Sequence, residues 1–343
     1  MFDMPADAMH ALQEHLTAQQ VQAVTQALVP SIVLQPARQA AKAPGATRLG
    51  GTPDLPAGAE WPRPLPPADP EALARRGNDA AAAEMRAHLK ARLPYAFMGQ
   101  IDLAEAHALG EVAKPLPAQG RLLFFYDLAV GPWETGMRPA RVLWDQTPRE
   151  ALKPLAMPPD LAEAMQRQQR ELRDMMVKYG QKPSEALATN YGAPAHFMTL
   201  KYALRLPDPE ALEAEPLMKR QTAEGDGAFS DTYRDVLDQL GESYPEPAWK
   251  RHQLLGSPLP EQSDPRYDAV VVTQFGKQHL SRDEWHAHFD RIHAQAQQWR
   301  LLWQVDLSDW GGDLSEGTVY FLIRSNDLAE RRFDQVVAVY QQT

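Results

Sequence analysis

Residues 50–62 read Gly50-Gly51-Thr52-Pro53-Asp54-Leu55-Pro56-Ala57-Gly58-Ala59-Glu60-Trp61-Pro62, a run in which glycines and prolines surround a single tryptophan. Glycine permits positive φ and close backbone approach, whereas proline fixes φ and removes an N–H donor. The run therefore reads as a bent, stiffened loop, neither helix nor ordinary strand. Its first residues return later in the chain. Leu49-Gly50-Gly51-Thr52-Pro53 is answered by Leu254-Leu255-Gly256-Ser257-Pro258, with the second glycine, the hydroxyl residue and the proline in step.

The correspondence continues downstream. Gln100-Ile101-Asp102-Leu103 is matched by Gln304-Val305-Asp306-Leu307, and 47 positions separate Pro53 from Gln100 where 46 separate Pro258 from Gln304. Each quartet is followed by a glycine that opens an aromatic strand, Gly120 in one case and Gly317 in the other. A glycine-proline loop, a helix, a strand, a variable connection and a further strand, in the same order twice, describe an α+β fold with internal duplication. Two copies are too few for a solenoid, so they are expected to share one core, with mixed or antiparallel sheets and peripheral helices. The boundaries expected are an N-terminal helix over 1–30, repeat one over about 31–150, a helical elaboration over about 151–245, and repeat two over about 250–343.

Local patterns fill in the elements. Apolar residues from Met9 to Leu28 recur at near-helical spacing within 4–28, which predicts one amphipathic helix closed by Pro30. Strands are predicted at Ser31–Pro36, Tyr95–Leu103, Gly120–Asp127, Ala140–Trp144, His196–Leu206, Tyr267–Gln274, Leu301–Leu307 and Gly317–Arg324. Helices are predicted at Pro70–Leu93, Asp160–Lys178, Phe229–Leu240 and from the Ser281 N-cap to about Arg300, with Glu284 completing a capping box. Asp208 to Pro216 reads as exposed connection.

Composition narrows function by exclusion. With 45 acidic against 35 basic residues the net charge is -10, which disfavours binding along a phosphate backbone, so nucleic acid is not expected as a partner. The absence of cysteine removes disulfides, thiolate zinc sites and cysteine nucleophiles. No window reaches the roughly 20 apolar residues of a membrane span, and the first residues lack the basic start and apolar run of a signal peptide, so a cytoplasmic location without membrane attachment is expected. Neither a Gly-x-Ser-x-Gly elbow nor a phosphate-cradling glycine loop occurs.

The motifs together resemble those of the YwqG-like family, a bacterial domain of unknown function. The shared features are Gly50 to Pro56, Trp61-Pro62, Gln100 to Leu103 and Gly120 to Phe125, then His252, Gly256, Gln262, Asp264-Pro265, Leu301 to Asp306 and Gly317 to Ile323. The likeness spans roughly residues 31–340 and departs from the family at Leu255, where a second glycine is expected. It implies a mainly β, internally duplicated α+β fold and a protein-binding role, immunity or stress-related, without an established reaction.

Several residues carry candidate chemistry. Gln100 and Asp102 share one face of their strand, as do Gln304 and Asp306. They could supply paired carboxylates for acid–base work, or they could satisfy backbone groups of the adjoining loops; repetition favours the second role, because an active site is needed only once. The enzyme reading, a hydrolase or metal-dependent catalyst between the repeats, would use His252, Asp264, Asp102 and Asp306. The binding reading would use Trp61, Gln100, Gln262 and Gln304 to contact a ligand or a protein partner. On a helix His286, Asp290 and His293 share a face, the weak case for a metal site; that helix lacks the His-Glu-x-x-His pattern, and no metal or cofactor is expected. The leading expectation is a non-catalytic binding or interaction protein.

Overall fold

The computed structural model of the chain describes residues 1–38, 43–183, 187–311 and 316–342. Where residues 4–28 suggest one helix, two form: α1 (Pro5–Leu12) and α2 (Ala18–Gln26). Thr17 divides them by accepting the Gln20 amide, and the Gln20 side chain returns to Thr17, so a capping box overrides the continuous apolar spacing. Strands β1 (Val29–Pro36), β2 (Arg48–Leu49) and β3 (Asp54–Pro56) follow, then helices α3 (Pro70–Ala74) and α4 (Asp79–Ala91). Next come β4 (Ala96–Asp102), α5 (Leu103–His107), β5 (Arg121–Tyr126), β6 (Ala140–Asp145), β7 (Leu152–Pro154) and α6 (Pro159–Lys178). The chain continues through β8 (His196–Arg205), α7 (Glu215–Ala223), α8 (Phe229–Gln239), β9 (Gln253–Leu254), α9 (Pro265–Phe275) and α10 (Arg282–Ala296). It closes with β10 (Trp299–Asp306), α11 (Leu307–Gly311), β11 (Thr318–Arg324), α12 (Ser325–Ala329) and β12 (Val337–Gln341).

Three expectations are corrected. Tyr267–Gln274 is helix, not strand: Asp264 caps α9 by accepting the Arg266 amide, Pro265 occupies the first turn, and Gly276 ends it at φ +62°. These end signals outweigh the β propensity of Val270 to Val272. The glycine-proline loop does contain strand, because β3 pairs with β7 as a separate ribbon in which Asp54 faces Pro154 and Pro56 faces Leu152, a setting where prolines are tolerated. Within Asp208–Pro216, Ala211 and Ala214 are buried, and the Leu212 amide donates to Asp264.

Ten strands form one antiparallel sheet in the order β12-β11-β10-β9-β1-β8-β2-β4-β5-β6. β1 and β8 pair along their lengths at the centre, so β8, which lies inside the span 151–245, is a central strand. Outward from that centre the two sides run in the same register. Arg48 faces Gln100 and Leu49 faces Gly99 on one side; Gln253 faces Gln304 and Leu254 faces Trp303 on the other. Both long inner strands shift register at the same place, between Phe97 and Gly99 in β4 and between Leu301 and Trp303 in β10.

The sheet curls nearly into a barrel. Phe124 of β5 meets Trp303 of β10 at 4.5 Å between ring centroids and Phe321 of β11 at 5.2 Å, and the loop at Gly136 bridges to Ala338 of β12. These inward rings, with Met98, Ile101, Leu122 and Val305, form the largest apolar cluster. The opposite face is covered too: Phe97, Leu123 and Phe125 pack with Met85 of α4 and Leu161 of α6, while Leu301, Tyr320 and Leu322 pack with α9 and α10. Burial on both faces explains why β4 and β5 read as nearly continuous apolar runs without alternation. Among the described residues, no helix is long and apolar enough to cross a membrane.

Candidate functional site

The two glutamines singled out by their spacing are buried and hold the two loops in the same way. Gln100 Oε1 accepts the Asp54 amide at 3.0 Å while Nε2 donates to the Ala46 carbonyl at 3.0 Å. Gln304 Oε1 accepts the Leu259 amide at 3.0 Å while Nε2 donates to the Arg251 carbonyl at 3.0 Å. Each side chain thus supplies one acceptor and one donor to backbone groups for which β2 and β9, two residues long, offer no ladder. On the first side Gln100 also donates to Asp54, whose carboxyl is pushed up by burial yet held below its ordinary range by Arg48 and the Gly45 amide.

The aspartates repeat the pattern with different partners. The Asp102 amide donates to Thr47 Oγ1 at 3.1 Å, and the carboxylate accepts the Ala104 amide and pairs with Arg149. The Asp306 amide donates to His252 Nδ1 at 3.1 Å, and the carboxylate accepts the Ser308 amide at 2.9 Å and Arg251 Nε at 2.6 Å. Accepting at Nδ1 places the ring proton of neutral His252 on Nε2. Asp102 and Asp306 therefore cap the short helices that follow their strands, and each faces a guanidinium. Arginine pairing and backbone bonds engage both oxygens of each carboxylate in holding local structure.

The remaining predicted residues do not join them. Asp264 bonds the Arg266 and Leu212 amides and pairs with Arg266, which also reaches Glu213 at 2.6 Å. Gln262 bonds the chain end through the Gln342 carbonyl. Trp61 is buried, donates Nε1 to the Tyr95 carbonyl at 2.8 Å and meets Phe97 and Phe125 edge-on, so it closes a core edge. On α10, His286 and Asp290 are exposed, whereas His293 lies 3.1 Å from both the Tyr267 hydroxyl and Glu215. Among the described residues, no group of three or more His, Asp or Glu side chains is arranged to hold a metal ion.

What does open between the two sides of the sheet is a cleft of about 540 Å³. One wall comes from the start of β1 (Val29, Pro30) and the segment after α5 (Val112, Pro115); the other comes from the second loop (Leu255), β10 (Leu301) and α12 (Leu328, Ala329). β9 ends at Leu254, and the chain turns away at Leu255 with φ +59°, a left-handed conformation costly for a branched side chain. The equivalent turn residue on the first side is Gly50 at φ +62°, where an added Cβ would stand 2.2 Å from the Pro194 carbonyl oxygen. Gly50 is thus dictated by close backbone approach, whereas Leu255 keeps a side chain that forms part of the cleft. A hollow of about 360 Å³ lined by Ala23, Ala27 and Leu217 adjoins it, sharing Val29 and Glu213.

Charge at the cleft is sparse. Burial raises the Glu213 carboxyl, but Arg266 and Ser257 outweigh it and hold the group below its ordinary range. Glu111 pairs with Lys114 at the surface. Arg300 donates Nη1 to the Gln297 and Trp299 carbonyls at 2.9 and 3.0 Å. A second cleft of about 530 Å³, between α4 and α6, is polar, with Glu84, Asp160, Glu163 and Arg167 on its walls. The apolar cleft is assembled from segments far apart in the chain, so no linear motif announces it. Its one sequence signal is Leu255 in place of an expected glycine.

The family model described as a domain of unknown function, DUF1963, matches residues 47–341. No curated protein matches the sequence.

Proposed function

The chain belongs to the DUF1963 family, and on that premise we propose that it is a non-catalytic binding protein whose ligand enters the apolar cleft between the two sides of the sheet. The observation that carries this reading is the contrast in saturation. Gln100, Gln304, Asp102 and Asp306 are engaged with their own loops and helix ends, while the cleft walls are apolar, concave and large enough for a ligand.

Two copies of one unit, as in the YwqG-like resemblance, account for the matched registers, the matched strand irregularities and the matched glutamine bonds. On this view β1 and β8 are the exchanged first strands of the two units, so the second unit begins near residue 196, not 250. The cleft then has walls from both units, and the change from Gly50 to Leu255 marks where one copy diverged.

The test is native mass spectrometry of the full chain purified from its own cells, beside an Ala329→Trp variant that fills the cleft from an exposed position. A ligand or protein partner that accompanies the unaltered chain and is lost from the variant supports the proposal. Retention by the variant, or substrate turnover abolished by Asp102→Asn or Asp306→Asn at unchanged melting temperature, overturns it in favour of the enzyme reading.

A further inference from the structure

We propose that the cleft takes a small monoanionic amphiphile, with its apolar body against Val29, Val112, Leu255 and Leu328 and its anionic head on Arg300; this rests on the cleft being the binding site. Two features of the molecule select this class. First, the walls are predominantly apolar and the volume of about 540 Å³ falls in the range of small-molecule sites, roughly 300–1,000 Å³. Second, the charges at the cleft are not equally available. Glu213 is engaged by Arg266 at 2.6 Å, and Glu111 by Lys114 at 2.7 Å.

Arg300 has no carboxylate partner among the described residues, and only its Nη1 is engaged, by two carbonyls of its own turn. Those bonds fix the guanidinium while leaving Nε and Nη2 without partners among the described residues. That edge is the pair of donors that grips a carboxylate or phosphate in bidentate fashion. Arg300 is exposed while Leu328 and Leu255 are buried, so the head would sit at the mouth and the chain within. The contribution of Arg300 is to bind and orient, with no covalent step.

Calorimetric titration of the full chain with decanoate and with 1-decanol tests the assignment, using the unaltered protein, Arg300→Gln and Ala329→Trp. Decanoate is expected to bind the unaltered protein about tenfold more tightly than 1-decanol, the increment of a charge-assisted pair. Arg300→Gln should bring the two affinities level without changing that for 1-decanol, and Ala329→Trp should weaken both. Val112→Trp replaces Ala329→Trp if the latter lowers the melting temperature. Equal binding of the two probes to the unaltered protein, or no effect of Arg300→Gln, overturns the anionic head while leaving an apolar cleft in place. If neither probe binds, the amphiphile assignment falls, and the co-purification experiment then decides separately whether the cleft receives anything.

Discussion

The two sides of the curled sheet share a framework and differ at the points where that framework meets itself or borders the cleft. Gly99 and Trp303 hold the same position, directly after the register shift in β4 and β10, and the Trp303 ring reaches the Gly99 position. A Cβ on Gly99 would stand 3.3 Å from the Trp303 ring and 2.6 Å from the Arg48 carbonyl oxygen. Two large residues could not both occupy the junction, so one side contributes the smallest side chain and the other the largest. The same asymmetry recurs at the turns: Gly50 is enclosed by Pro194, while Leu255 borders the cleft. Gly51 and Gly256, by contrast, remain equal, with added Cβ atoms 2.8 Å from Ala195 and 2.7 Å from Ser31. The sides thus differ where packing at the junction admits only one large ring and where the second loop borders the cleft.

The comparison can be broken most forcefully at Trp303. Trp303→Ala should cost about 3–5 kcal/mol in denaturant unfolding, because it empties the junction that Gly99 cannot fill. Trp303→Phe should cost about 1 kcal/mol, since the indole N–H is buried without a partner among the described residues and its removal offsets part of the lost contact. Equal losses in the two variants would mean that the ring volume is not what joins the sides.

The paired aspartates sharpen it next. Arg251 and Asp306 are both almost wholly buried, at 4% and 1% exposure, whereas Arg149 opposite Asp102 is 50% exposed. Arg251→Ala should therefore cost about 3–5 kcal/mol by stranding a buried carboxylate, and Arg149→Ala less than about 1 kcal/mol. At the turns, Gly50→Ala should cost about 3 kcal/mol through the Pro194 contact and the left-handed backbone. Leu255→Gly should lose less than the about 2–5 kcal/mol of an ordinary buried leucine truncation, because relief of strain offsets part of the loss.

A pH dependence on the second side tests the comparison without altering its framework. Burial raises the Asp268 carboxyl from 3.8 to about 6, so the folded chain binds this proton more tightly than the unfolded chain does. Its contribution is fully present below pH about 4 and is lost as pH rises through about 6. Asp268→Asn should flatten the difference between stability at pH 4 and pH 7 by up to about 2 kcal/mol. Parallel pH profiles for the two proteins would contradict this.

Much of the framework is legible in the chain because it rests on backbone requirements that few residues meet. Gly51, Pro53, Gln100 and Asp102, and their counterparts Gly256, Pro258, Gln304 and Asp306, announce themselves through residue type and spacing. Local patterns fail where tertiary context decides. Val270 to Val272 favour strand but are drawn into α9 by its caps, and the apolar spacing across Thr17 conceals a break. Asp54–Pro56 becomes strand only because β7 lies beside it. The cleft was least legible, since Val29, Val112, Leu255, Arg300 and Leu328 come together only when the sheet curls.

The central claim is that the polar positions common to both sides hold loops, while ligand recognition belongs to the cleft. Ligand retention measured beside melting temperature, for Gln304→Leu and Ala329→Trp, tests it most directly. Gln304→Leu is expected to lower the melting temperature while the folded protein keeps its ligand, and Ala329→Trp to lose the ligand with the melting temperature unchanged. Loss of the ligand from folded Gln304→Leu, together with retention by Ala329→Trp, would contradict it.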